Sequence, residues 1–156
     1  MPSWSEFATV VPELAERVRA RFDAHVHKTL ATVRADGAPR ISGTECKIAE
    51  GELWIGSMWE ARKALDLRRD PRYALHSGSD DPPGWVGDAK VAGVVEEILD
   101  PEMVARLNGP AAELGPSHLF RLEIAEASVV ELAPSGKAIV LDSWTPAGGL
   151  RRIERA

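Results

Sequence analysis

Residues 3–22, SWSEFATVVPELAERVRARF, place apolar side chains at helical spacing, with Leu14, Val18 and Phe22 on one face. Ser3 and Glu6 stand at capping-box spacing ahead of this run, and Pro12 is predicted to open a second helix, giving a helical segment over residues 3–25. From Lys28 the period shortens to two. KTLATVRA, the Asp36-Gly37 pair and PRISGTECK read as two strands joined by a tight turn. ELWIGS follows Glu50-Gly51 as a third strand, a helix is expected around residues 59–69, and RYALHS is a fourth strand. GSDDPPGWVG is a glycine- and proline-marked loop, and DAKVAGVVEEIL a fifth strand. PEMVARLN is a short helix with Pro101 in its first turn, while HLFRLEIAEASVVEL and KAIVLDSW complete the β content around the Pro134-Ser135-Gly136 turn. The basic tail, residues 145–156, has no core pattern, so Arg151, Arg152 and Arg155 are expected on a solvated, mobile end. The functional alternative is a tail folded over an anionic ligand.

Strands mostly follow strands through short turns, without repeats or linkers. This pattern predicts one domain over residues 1–156, mainly β, with an antiparallel sheet or small barrel and peripheral helices. A chain of 156 residues buries roughly 70% of the surface its unfolded form exposes, enough for one core. Apolar residues at 44% and charged residues at 28% fit a folded chain. Without a membrane-length apolar run or the apolar core of a signal peptide, a cytoplasmic location is expected. Cys46 is the only cysteine, which rules out an internal disulfide and a cysteine-rich zinc site. A net charge of −5 argues against general nucleic-acid binding and confines any anion site to a local pocket.

Arg62 and Lys63 provide such a site. A helix N-terminus carries partial positive charge, so two cations in its first turn are unfavourable unless solvated or met by an anion. Ser57 and Glu60 have capping-box spacing, on which reading Ser57 satisfies helix amides and the cations face water. On the other reading, free amides, a hydroxyl and two cations converge on a phosphate. Upstream, Arg40, Ser42 and Thr44 share one strand face. Gly43 removes bulk from the other, allowing a flat ring to approach or simply a neighbouring strand to pack. His25 and His27 lack further ligands for a metal and suit a hinge, while His76 and His118 suit hydrogen bonding at the core edge. GxSxG, GxGxxG and phosphate-loop motifs are absent. Trp59 and Trp85 fall in predicted loops, where they can line an aromatic pocket.

LATVRADGAPRIS, LWIGSMWEARKALDLRRDPRYAL and GDAKVAGVVEEI, in this order and spacing, resemble the pyridoxamine 5'-phosphate oxidase-like, FMN-binding split-barrel family over roughly residues 26 to 100. The resemblance implies a homodimer of antiparallel split β-barrels with two flavin sites between the subunits. It implies that Arg40 helps to bind the cofactor, that Ile41, Ser42, Gly43 and Thr44 run beside its ring, and that Ser57, Arg62 and Lys63 hold its phosphate. The implied activity is hydride or electron transfer to a small organic substrate, with no catalytic side chain designated. Glu45 stands where the oxidases proper tend to carry lysine, and Asp88 where glutamine is expected. The C-terminal signature of vitamin B6 oxidation is not recognisable, so that activity is not expected. The LRRDPR segment also resembles the flavin/deazaflavin oxidoreductases, leaving deazaflavin coenzyme F-420 as the alternative to FMN. A non-catalytic split barrel that stores or senses a cofactor is the third reading.

Overall fold

The computed structural model describes residues Met1–Ala156. Helix α1 (Trp4–Val10) starts at the expected capping box: Ser3 Oγ accepts the Glu6 amide at 3.2 Å and Glu6 Oε2 accepts the Ser3 amide at 2.7 Å. Pro12 opens α2 (Pro12–Asp23), where a missing amide proton costs nothing. These two helices turn Phe7, Leu14, Val18 and Phe22 against the inner face of a curled sheet.

Strands β1 (His27–Val33) and β2 (Pro39–Glu45) form the expected hairpin, with a seven-pair register from His27–Glu45 to Val33–Pro39. Short β3 (Lys47–Ala49) and β4 (Glu52–Met58) follow, then α3 (Arg62–Arg69) and β5 (Arg72–His76). Long β6 (Asp88–Glu97) precedes α4 (Pro101–Asn108), a 3-10 turn (Gly109–Leu114), β7 (Ser117–Leu122), β8 (Glu126–Leu132), β9 (Ile139–Thr145) and β10 (Gly149–Arg155). All pairings are antiparallel. One path runs β10-β9-β8-β6-β5-β1-β2, and a second joins β3, β4 and β7 to the far end of β6. This is a mainly β, antiparallel split barrel with peripheral helices.

Strand β6 divides the barrel. Its first half pairs with β8 and its last residues with β7, while the chain corner between those strands passes directly over Gly93. A Cβ at Gly93 would lie 2.0 Å from Glu123 O, a contact no side chain survives. The run HLFRLEIAEASVVEL is accordingly broken into β7 and β8 at this corner.

The tail departs from expectation. Instead of a mobile end, residues 149–155 form edge strand β10, in seven-pair register with β9. Its anchor is Asp142, 2% exposed, whose carboxylate accepts Arg152 Nε at 2.7 Å and Arg17 Nη1 at 2.6 Å. A buried carboxylate needs such partners, so the tail arginine answers a charge set in the preceding strand. No helix is long and apolar enough to cross a membrane.

Candidate functional site

A cavity of about 1020 Å³ opens between the end of β2, the outer side of β4, the start of α3 and the segment from α4 to β7. Its walls bring together Gly43, Thr44, Ser57 and Lys63 from the expected set. Thr44 and Ser57 are largely buried, and the Lys63 ammonium crosses toward β2 to donate to Gly43 O at 3.0 Å. Burial holds the Lys63 pKa below the ordinary lysine range, a penalty that an arriving anion would offset.

The anticipated capping box at Ser57 and Glu60 does not form. Ser57 lies within β4 and its hydroxyl donates to Met58 O at 3.2 Å. Glu60 adopts φ +57°, the chain turns there, and Ala61 becomes the N-cap without any side-chain cap. Arg62 and Lys63 are therefore the first two residues of α3. Their amides belong to the orphan donors of a helix start.

The other expected residues stand apart from the cavity wall. Arg40 donates from Nε to Asp66 Oδ2 at 2.7 Å. Buried Asp66 also accepts Thr32 Oγ1 at 2.8 Å and Arg69 Nη2 at 3.0 Å, tying α3 to the first hairpin. Burial opposes ionisation of Asp66, but these donors outweigh it and hold its pKa below the usual carboxylate value. Ser42 is half-buried, and Ile41 is 75% exposed on the outer face, beside Ala31 in the register. Arg62 is exposed at the edge of the α3 start.

Several wall residues lie outside the set of cofactor-binding residues expected from sequence. Lys47 and Trp54 belong to β3 and β4, while Asn108, Leu114 and Ser117 come from the α4–β7 connection. The only signal for that wall was the glycine- and proline-rich NGPAAELGP stretch between a helix and a strand. Asn108 Oδ1 would lie 2.5 Å from a Cβ at Gly56, so that glycine lets the wall close onto β4. Glu45 lines the cavity and Asp88 does not, which separates the two departures from the family pattern. Trp59, anticipated as a pocket aromatic, lines the cavity, and Trp85 lies elsewhere. Burial pushes the Cys46 thiol up to about 11, leaving it a neutral wall group rather than a nucleophile.

The model of the pyridoxamine 5'-phosphate oxidase family matches residues 14–131. The chain belongs to that family. No curated protein matches it in sequence. Among solved structures, a pyridoxamine 5'-phosphate oxidase-related, FMN-binding protein of Nostoc punctiforme is similar at 14% identity, with TM-score 0.63, over 92% of this chain and 95% of its own. A conserved hypothetical protein of Mycobacterium tuberculosis is similar at 22% identity, TM-score 0.60, over 72% and 81%. A heme-binding protein of Mycobacterium smegmatis is similar at 16% identity, TM-score 0.57, over 100% and 89%. At such identities these likenesses carry the fold, which this family member shares with proteins of different ligands.

Proposed function

We propose that the chain is a homodimeric, FMN-binding oxidoreductase acting on a small organic molecule other than pyridoxamine 5'-phosphate. The observation that carries this reading is the uncapped start of α3. There, orphan amides, the Lys63 ammonium and the Thr44 and Ser57 hydroxyls border one cavity of about 1020 Å³. That set fits a phosphate once the two hydroxyls, which donate to Glu45 O and Met58 O, turn toward it, and the cavity volume suits a cofactor-sized ligand. Arg40 stands apart from this cavity, its Nε committed to Asp66, and is not counted among these donors.

FMN, when bound, supplies the hydride or electron transfer, with a reduced nicotinamide as the expected donor. The chain's residues bind and orient it, and no side chain is assigned a proton-transfer role. The outer sheet face supports the dimer. Ile41, Ala31, Ala74 and Ala92 are neighbours across four strands on the outer face, with Ile41 and Ala74 exposed, a row suited to a second copy. The commitment of Arg152 to Asp142 leaves it unsuited to hold a second phosphate, in keeping with a substrate other than a B6 vitamer.

The test is the visible spectrum of freshly purified protein, followed by titration of the apoprotein with FMN, coenzyme F-420 and haemin. Flavin absorbance and FMN binding in preference to the others support the reading. Preference for F-420 moves the chain to the deazaflavin alternative, and preference for haemin overturns both. Light scattering should give a mass near twice 16.9 kDa, and a clean monomer at micromolar concentration would remove an intersubunit site.

A further inference from the structure

Behind the cavity wall lies a network that the proposed chemistry does not use. His118, on β7, is 1% exposed, with Nδ1 2.7 Å from Glu97 Oε1 on β6. Arg68 of α3 grips the same carboxylate with Nε at 2.7 Å and Nη2 at 2.9 Å. Burial works against the Glu97 charge, but the donors from Arg68 and His118 prevail and hold its pKa below the usual range. A carboxylate only accepts, so the hydrogen of this pair belongs to Nδ1. Nε2 is then a lone pair, and it accepts the amide of Glu60 at 3.1 Å.

The imidazole is also stacked. Trp59 lies parallel to it at 4.6 Å and 5°, Phe120 lies at 5.9 Å and 18°, and the Arg68 guanidinium is 5.4 Å from the Trp59 ring centre. Trp59 and Glu60 form the turn from β4 into α3, and the next residues are the Ala61 N-cap, Arg62 and Lys63. One buried ring thus holds both residues of the turn that aims the α3 start, and one of them, Trp59, is a cavity wall.

We propose that His118 is a positioning residue for this anion-binding helix start. As the neutral Nδ1–H tautomer it holds the Glu60 amide and the Trp59 ring, and protonation at Nε2 releases the turn and weakens binding of a phosphorylated ligand. The inference rests on the phosphate reading of α3. A protonated Nε2 would point one N–H at another, turning a hydrogen bond into a donor–donor repulsion. The charged groups around the imidazole are Glu97 from β6 and Arg68 from α3, and the turn contributes only the Glu60 backbone amide. From α4, Asn108 Nδ2 donates to His118 O at 3.1 Å.

The experiment is side-chain 15N NMR of the full chain together with FMN affinity from pH 8 to pH 5, for the parent and His118→Phe. Phenylalanine keeps the stack and removes the acceptor. At pH 8 the expected results are an Nδ1–H tautomer and an FMN affinity about fivefold to tenfold lower in the variant, the loss of one positioning hydrogen bond. Wherever the 15N shifts report Nε2 protonated, the ratio of parent to variant affinity should be near one, a comparison that cancels titration of the FMN phosphate. An Nε2–H tautomer, equal affinities at pH 8, or a ratio unchanged when Nε2 is protonated would overturn the proposal. Should His118→Phe fail to fold, the parent decides, because its Glu60 amide must show the resonance of a proton donated to Nε2 and must lose it when Nε2 is protonated. Pyrophosphate, followed through the Arg62 and Lys63 amides, separates the two readings. A parent that binds pyrophosphate with this pH dependence but not FMN refutes the flavin reading and leaves the clamp standing, whereas binding of neither refutes both.

Discussion

Replacing Lys63 by methionine keeps the alkyl stem along the cavity wall and removes only the ammonium. In the apoprotein two effects oppose. The substitution loses the 3.0 Å bond to Gly43 O, worth about 0.5 to 1.5 kcal/mol. It also relieves a half-buried cation in the first turn of a helix, worth about 0.3 to 1 kcal/mol. The net change should stay within about 1 kcal/mol, which for a chain of this size shifts Tm by no more than about 2 to 4 °C. Binding has no such cancellation. A charge-assisted hydrogen bond to phosphate contributes about 1.5 to 3 kcal/mol, so FMN affinity should fall about tenfold to a hundredfold. Quenching of flavin fluorescence measures the affinity, and calorimetry of the apoprotein measures Tm. Arg62→Ala, at an exposed position beside the cavity, should cost less affinity than Lys63→Met. Unchanged FMN affinity in Lys63→Met, or a large fall in apoprotein Tm, would refute the reasoning, because Lys63 would then be either a bystander or a structural group.

Asp66→Asn should lower Tm by roughly 4 to 12 °C in a thermal melt, since it removes about 2 to 3 kcal/mol of buried charge pairing, discounted because Arg69 is 42% exposed. Asp66 and Asp142 both have folded pKa values below the usual carboxylate value; for Asp142 the causes are the Arg152 hydrogen bond, burial opposing it, and the Arg17 hydrogen bond. Their contribution to stability should thus be present above about pH 4 and lost as pH falls further, because the unfolded state takes up protons first; denaturant midpoints across this range test it. Deleting residues 149–156 should lower apoprotein Tm by removing one of two arginine partners of Asp142, and an unchanged melt would show β10 to be a passive edge.

Local periodicity and turn chemistry made most of the architecture legible. The capping box at Ser3, Pro12 at a helix start and the Asp36-Gly37 hairpin depend on neighbours a few residues apart, so they can be read along the chain. The α3 cations were legible for the same reason, because the penalty on a first-turn cation is local. The tail was not legible. Its strand depends on Asp142 and Arg17, and the second of these lies more than 130 residues away in the chain from Arg152. The Ser57 capping box failed because a spacing of three says nothing of the intervening backbone, and Glu60 turns the chain at φ +57°.

The sequence by itself determined the alternation of strands and helices, the antiparallel class and the placement of two cations at one helix start, all products of short-range sterics, periodicity and dipoles. Only the tertiary structure decided what those cations face. The cavity exists because β2, β4 and the α4–β7 connection meet there, and Arg40 is drawn away because Asp66 is buried beside it. Burial and convergence join residues far apart in the chain. The desolvation of Lys63 and the tautomer of His118 arise from that enclosure, and neither is written in any local window of residues.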